Sequence, residues 1–166
     1  PVMYIDYRWL YERRAVLPAV VERPLAAEGP RVVRAGRDLT LVGAGYAAWL
    51  CEQAAGFLAA GDIDAEVIDV RVLNPFDPRE IIASVARTGR LCVVDGGWRN
   101  AGWAAEVIAS VTEALDPGAL KAAPRRITLP DAPAPTSKPL EAAYYPDARI
   151  VADAARAILT ERRTSP

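Results

Sequence analysis

Leu39-Thr40-Leu41-Val42-Gly43-Ala44-Gly45-Tyr46-Ala47-Ala48-Trp49-Leu50 is the stretch whose reading decides the fold. It opens with a short apolar run, breaks at two glycines and resumes with a different period. Tyr46, Trp49, Leu50, Ala54, Phe57 and Leu58 fall at helical spacing, and Gly61 closes the segment. A buried strand that turns straight into an amphipathic helix is the first half of a βαβ unit.

The pattern continues toward the C-terminus. Ala65 to Val70 is the next apolar run. A helix follows, with Asp77 as N-cap, Pro78 at the first position, Glu80 completing a capping box, and Ile81, Ile82, Val85 and Ala86 on one face. Leu91-Cys92-Val93-Val94 is a third buried strand. Ala104, Val107, Ile108, Val111 and Leu115 form another helical face, ended by Asp116-Pro117-Gly118. Arg126-Ile127-Thr128-Leu129 is a weaker fourth strand. Pro130 to Pro139 is too proline-dense for helix or central strand and is expected to be extended. Asp147 then caps a last helix with Ile150, Val151, Ala154, Ala155, Ile158 and Leu159 on its face. Strands alternating with helices imply right-handed crossovers and a mainly parallel sheet covered on both faces, a three-layer α/β domain. There is no internal repeat.

Toward the N-terminus the signal weakens. Pro1-Val2-Met3-Tyr4-Ile5 reads as a strand beginning at the first residue, and Met3 is the sole methionine. The chain is therefore expected to start partway through a longer product. Arg13 to Arg37 carries Pro18, Pro24, Gly29, Pro30 and Gly36 with little periodicity, the composition of a surface linker. The expected division is 1–37 as the end of a preceding domain plus linker, and 38–166 as the α/β domain.

Composition narrows the function. A net charge of −1 without a basic stripe offers no field for nucleic acid. No apolar run approaches the roughly 20 residues that span a bilayer. Cys51 and Cys92 sit in apolar segments without a CxxC pattern, which reads as free buried thiols and a reducing compartment, the bacterial cytoplasm or its equivalent. The chain contains no histidine, so Ser-His-Asp and Cys-His mechanisms are excluded within it.

Three stretches could carry a site. Gly43-x-Gly45-x-x-Ala48, with Glu66 or Asp69 as a ribose-binding acid, matches a dinucleotide-binding fingerprint; a tight strand-to-helix turn asks for the same small residues. Asp95-Gly96-Gly97-Trp98-Arg99-Asn100-Ala101-Gly102-Trp103 follows a buried strand, at the sheet edge where α/β proteins place ligands. Arg99 could hold an anion there. Trp and Arg are also common interface anchors, so the preferred reading is contact with another domain or subunit through Asp95, Trp98, Arg99 and Trp103. Trp103 falls on the shoulder of its helix face and could serve core and interface together. Tyr144-Tyr145-Pro146 precedes the last helix as a hydrophobic staple or a further interface patch, with Tyr144 the candidate contact.

Taken in order, these segments resemble the beta subunit of thiamine-diphosphate-dependent 2-oxo acid dehydrogenases of the pyruvate and branched-chain types. Ile127-Thr128-Leu129-Pro130-Asp131-Ala132-Pro133-Ala134-Pro135, continued by Pro139-Leu140-Glu141-Ala142-Ala143-Tyr144-Tyr145-Pro146-Asp147, is similar to the family's proline-rich ending. Glu66-Val67-Ile68-Asp69-Val70-Arg71-Val72-Leu73-Asn74-Pro75-Phe76-Asp77 and Thr88-Gly89-Arg90-Leu91-Cys92-Val93-Val94 resemble two further family segments. Pro1 to Tyr11 resembles the strand that closes the preceding domain. The chain departs from the family where Asp95-Gly96 replaces a frequent His-Glu, and where Tyr7 follows Asp6 in place of His.

The resemblance implies a transketolase C-terminal-like fold, a five-stranded mixed sheet with one antiparallel strand. It implies an intact enzyme that decarboxylates a 2-oxo acid on thiamine diphosphate and Mg²⁺ and passes the acyl group to a lipoyl carrier. The cofactor would sit between the alpha subunit and the beta subunit's N-terminal domain, so this chain would bind none and have no catalytic or metal residue. Its role would be assembly and regulation, with the alpha subunit, a second beta subunit and the acyltransferase core as partners. Two alternatives remain. One is a Rossmann-type nucleotide-binding module using Gly43, Gly45 and Asp69. The other is the C-terminal domain of transketolase or deoxyxylulose-phosphate synthase, against which the proline-rich ending argues.

Overall fold

The computed structural model describes Met3 and residues 6–11, 13–14, 16, 19, 21–24 and 27–161. The strand expected over Pro1 to Ile5 and the pair Arg162-Arg163 lie outside these residues, Met3 excepted.

Five strands form one sheet: β1 (Arg31–Arg34), β2 (Leu39–Gly43), β3 (Ala65–Asp69), β4 (Leu91–Trp98) and β5 (Arg125–Leu129), in the order β1-β3-β2-β4-β5. β1 runs antiparallel to β3, and the other pairings are parallel. The helices are α1 (Tyr46–Ala59), α2 (Arg79–Thr88), α3 (Trp103–Ala114), α4 (Lys138–Tyr144) and α5 (Ala148–Thr160). This is the three-layer arrangement that the alternation of elements predicts, with the mixed five-stranded sheet that the family resemblance implies.

Period-two alternation divides the strand side chains between two cores. Leu39, Leu41, Ala65, Val67, Cys92 and Val94 face one way and pack with α1 and α5. Val42, Ile68, Leu91 and Val93 face the other way and pack with α2 and α3. β2, the central strand, is buried along its whole length, as a parallel strand covered on both faces must be.

The sheet contains one element that the reading of the sequence does not foresee. β1 lies inside the stretch taken for linker, where Arg31-Val32-Val33-Arg34 is short and flanked by glycine and proline. Its pairing with β3 makes it a strand: Arg31 is opposite Asp69 and Val32 opposite Ile68, and Val32 packs against the α2–α3 core. β4 also outruns its apolar run by four residues. Gly96 and Trp98 are exposed there, and Trp98 regains register with Leu129 across an irregularity. At the C-terminal side, α4 begins at Lys138-Pro139, inside the stretch expected to be extended. Proline is tolerated in a first helical turn, where its missing N–H would have no partner in the helix anyway.

Helix ends follow local chemistry. Asp147 caps α5 as expected, its carboxylate accepting from Arg149 N at 2.9 Å and Ile150 N at 2.8 Å. Asp77 accepts from the backbone N–H of Arg79 at 3.1 Å, although the helix itself starts at Arg79, later than its proline suggests. The buried face of α2 differs from the apolar pattern, because Ala86 is exposed whereas Ser84 and Thr88 are fully buried. Both hydroxyls meet Thr40 of β2: Thr40 Oγ1 lies 2.7 Å from Ser84 Oγ and 2.8 Å from Thr88 Oγ1. A hydroxyl triad in a core is tolerable only while each member has a partner.

Thr40→Val keeps the shape and removes the shared hydroxyl. It is expected to lower the unfolding free energy by about 1–3 kcal/mol, because the Ser84 hydroxyl loses this partner inside the core. Urea unfolding monitored by circular dichroism measures the loss, as a lower midpoint at unchanged slope.

Candidate functional site at the strand ends

The connection leaving β2 passes through α1 to β3 on one side, and that leaving β4 passes through α3 to β5 on the other. The C-terminal ends of β2 and β4 are neighbours whose connections diverge, which opens a crevice between them. In open α/β sheets this topological switch point is the usual place for a ligand.

A cavity of about 130 Å³ occupies this crevice. Ala44, Gly45, Val94, Gly96 and Leu129 contribute its strand-end wall, and Ala47 and Leu50 of α1 its side. The outer wall is aromatic. Tyr7 stacks on Tyr46 with centroids 5.3 Å apart and planes 10° apart. Trp9, within a short 3₁₀ turn over Arg8–Leu10, meets Tyr46 edge-on at 5.1 Å and Tyr145 at 4.9 Å. Tyr46 also stacks on Trp49, whose ring is covered by the guanidinium of Arg13 at 3.8 Å. Burial pushes the Tyr7 hydroxyl above its ordinary pKa, with Tyr145 and Tyr46 adding to the effect, so it stays neutral.

Reading the sequence alone misses this cavity. Tyr7 and Trp9 are taken there as the end of another domain, and Tyr145 as part of a staple. The alternation of Tyr7, Trp9 and Tyr11 is the signal that could have marked the segment as one that packs on something.

The expected interface residues separate into two groups. Asp95 faces inward: one carboxylate oxygen accepts from Gly97 N at 2.8 Å, the other from Ala104 N at 2.9 Å. It therefore satisfies a first-turn donor of α3 from nine residues upstream. Gly102 allows this close approach, since a Cβ on it would lie 2.1 Å from the Trp98 carbonyl oxygen. Trp103 is half-buried, with its ring edge-on to Phe76 at 5.9 Å. Tyr144 is only 8% exposed, and its hydroxyl donates to the Ala132 carbonyl at 2.7 Å. Trp98 and Arg99 face solvent. Trp98 is 53% exposed although its indole N–H reaches the Tyr144 hydroxyl at 3.3 Å.

The residues of the fingerprint have identifiable structural roles. A Cβ on Gly43 would meet the backbone of Ala47 and Ala48 at 2.6 Å, so the glycine lets α1 approach the strand. Glu66 is buried at the opposite end of β3 and binds the Arg87 guanidinium at 2.5 Å. Asp69 does lie at the strand end, beside Gly43 in register. Its carboxyl is raised above the usual range, chiefly by burial, against the opposing pull of the Arg71 backbone N–H and the Arg71 and Arg31 charges.

Both thiols are fully buried. Burial holds the Cys92 pKa at about 12 and raises that of Cys51 well above its ordinary value, so neither supplies a thiolate near neutral pH. The residues at the strand ends do not fit thiamine diphosphate and Mg²⁺. The cavity is too small for a diphosphate ester of a two-ring cofactor and is walled mostly by apolar groups, with the Asp95 carboxylate opposing a diphosphate. Among the described residues, no group of three His, Cys, Asp or Glu could hold a metal.

The family model for the C-terminal domain of transketolase matches residues 29–151. The chain belongs to this family. The match begins just before β1, and so takes in the antiparallel edge of the sheet. Curated relatives include the beta subunit of acetoin:2,6-dichlorophenolindophenol oxidoreductase from Cupriavidus necator, 35% identical over 94% of this chain and 46% of its own length. The pyruvate dehydrogenase E1 component beta subunits of Ascaris suum (mitochondrial) and Bacillus subtilis are each 34% identical, over 88% and 96% of this chain. These alignments cover 41% and 48% of those relatives, so the chain spans less than half the length of each. A solved structure described as a split gene transketolase, an inactive beta4 tetramer, superposes with a TM-score of 0.70 at 26% identity, over 81% of this chain and 43% of that one.

Asp95→Ala is expected to remove the cap on α3 and destabilise the domain by about 1–2 kcal/mol, with Asp95→Asn losing less. Thermal melting of the two variants beside the parent chain measures both effects.

Proposed function

We propose that this transketolase C-terminal domain is the assembly and regulatory part of the beta subunit of a thiamine-diphosphate-dependent 2-oxo acid dehydrogenase. The homology to acetoin and pyruvate dehydrogenase beta subunits over nearly the whole chain is the observation that carries this reading. In the intact enzyme the cofactor and Mg²⁺ would be held elsewhere, between the alpha subunit and the rest of the beta subunit. The acyl product would pass to a lipoyl carrier. The chemistry of this chain agrees with a supporting role: it has no histidine, its thiols are inert, and its strand-end cavity does not suit the cofactor.

The proposed contact with the alpha subunit or a second beta subunit rests on Trp98 and Arg99. An indole that is half exposed at the last pairing of β4 presents a large apolar area to solvent, and burying it on a partner is favourable at roughly 25 cal/mol per Å². Asp95, Trp103 and Tyr144 support that surface from inside the domain, through the α3 cap, the Phe76 contact and the Tyr144–Trp98 hydrogen bond.

Trp98→Ala is expected to leave the melting temperature nearly unchanged while weakening association with the partner subunits by about 2 kcal/mol, roughly thirtyfold. Sedimentation velocity of the parent and variant chains with the purified alpha subunit measures the second quantity. Equal affinities would remove Trp98 from any interface, and a large loss of stability would assign it to the core. Titration calorimetry with thiamine diphosphate and Mg²⁺ provides a separate check: no heat of binding is expected from this chain, and tight binding would overturn the assignment.

A further inference from the structure

We propose that the strand-end cavity is a binding site for a molecule with a single aromatic ring, held between the ends of β2 and β4 and the aromatic segment around Tyr7 and Trp9. The position, size and lining of the cavity lead to this reading independently of any role in assembly. The crevice is the topological switch point of the sheet, where the fold leaves room at the strand ends.

Volume selects the ligand class. The space of about 130 Å³ resembles the cavity of about 150 Å³ that, lined with apolar side chains, stays dry and takes up benzene. One six-membered ring fits, whereas a nucleotide or a fused cofactor does not. The lining selects the same class. Ala47, Leu50, Val94 and Leu129 give an aliphatic floor, and Asp95, which also lines the cavity, has its carboxylate engaged by the Gly97 and Ala104 amides. Tyr7, Trp9, Tyr46 and Tyr145 give ring faces and edges, and the rings already in contact there meet in stacked and edge-on pairs. A further ring can join that array by the same quadrupole preference. Gly45 and Tyr46 place the start of α1 at the rim, where the Ala47 and Ala48 amides already donate to the Ala44 and Gly45 carbonyls at 3.1 Å, so ring contacts select the ligand.

Access follows from the outer wall. Tyr7 and Trp9 remain 44% and 41% exposed, and the segment carrying them rests on the domain through ring contacts with Tyr46 and Tyr145. A ligand therefore need not open the core to enter.

Phenol is the probe. Titrated into the 166-residue chain and followed by proton–nitrogen correlation NMR, it is expected to shift the amides of Gly45, Tyr46, Val94 and Gly96 saturably. The dissociation constant should be on the order of 1 mM, as for any ligand of so few atoms. Gly96 lines the cavity and a Cβ on it meets nothing within 4 Å, so Gly96→Leu adds bulk at the cavity wall without a clash. It should abolish the response at an unchanged melting temperature. Trp9→Ala, on the exposed wall, should weaken binding by about tenfold and provides the test should the first variant fold poorly. Three outcomes would overturn the proposal: shifts that never saturate, equal shifts from glycerol at the same concentration, or a phenol affinity untouched in a folded variant.

Discussion

β2 is shielded on both faces, and its last residue, Gly43, lies against the backbone of Ala47 and Ala48 in the helix that follows. With the helix drawn this close, α1 must lie over the sheet, and β3 is delivered to one side of β2 in parallel register from Leu39↔Ala65 to Gly43↔Asp69. β4 takes the other side, opposite Thr40 to Val42. Burial of one strand by two layers thus dictates the order of the parallel strands, and that order creates the crevice at their ends.

The polar groups of the domain act where they secure this arrangement. Thr40 projects from the central strand into the α2 side of the core, where Ser84 and Thr88 tie the strand to that helix. Glu66, buried at the start of β3, is matched by Arg87 of the same helix and by the Gly36 backbone N–H at 3.4 Å. Asp95 joins the end of β4 to the start of α3. Each link spans two secondary-structure elements, and that of Asp95 lies at the strand ends that form the crevice. The crevice is lined mostly by rings and aliphatic groups, together with Asp95, whose carboxylate is engaged by the Gly97 and Ala104 amides.

Family membership and site chemistry describe different levels of the molecule. The transketolase C-terminal fold is shared with beta subunits whose full length is more than twice the aligned part. The exposed Trp98 and the aromatic-walled cavity lie at the same end of the sheet, since β4 contributes both Gly96 to the cavity and Trp98 beyond it.

Local rules sufficed for much of the fold. Four of the five strands, the helices α1, α2, α3 and α5, and the cap at Asp147 follow from periodicity and capping chemistry, both of which act between residues a few positions apart. The ordered segments resembling dehydrogenase beta subunits pointed to the family as well. What depended on distant partners was not legible. β1 became a strand only by pairing with β3, and α2 buried Ser84 and Thr88 only because Thr40 meets them from 44 and 48 residues away. Asp95, read as a candidate interface residue, has its carboxylate turned to the amide of Ala104. The cavity assembles Tyr7, Gly45, Gly96 and Tyr145 from four separate parts of the chain. The sequence by itself determined the alternation of elements, because hydrophobic period and helix ends are properties of neighbouring residues. Only the tertiary structure decided which strand ends meet and what encloses them, because that geometry is set by packing between residues that no local pattern connects.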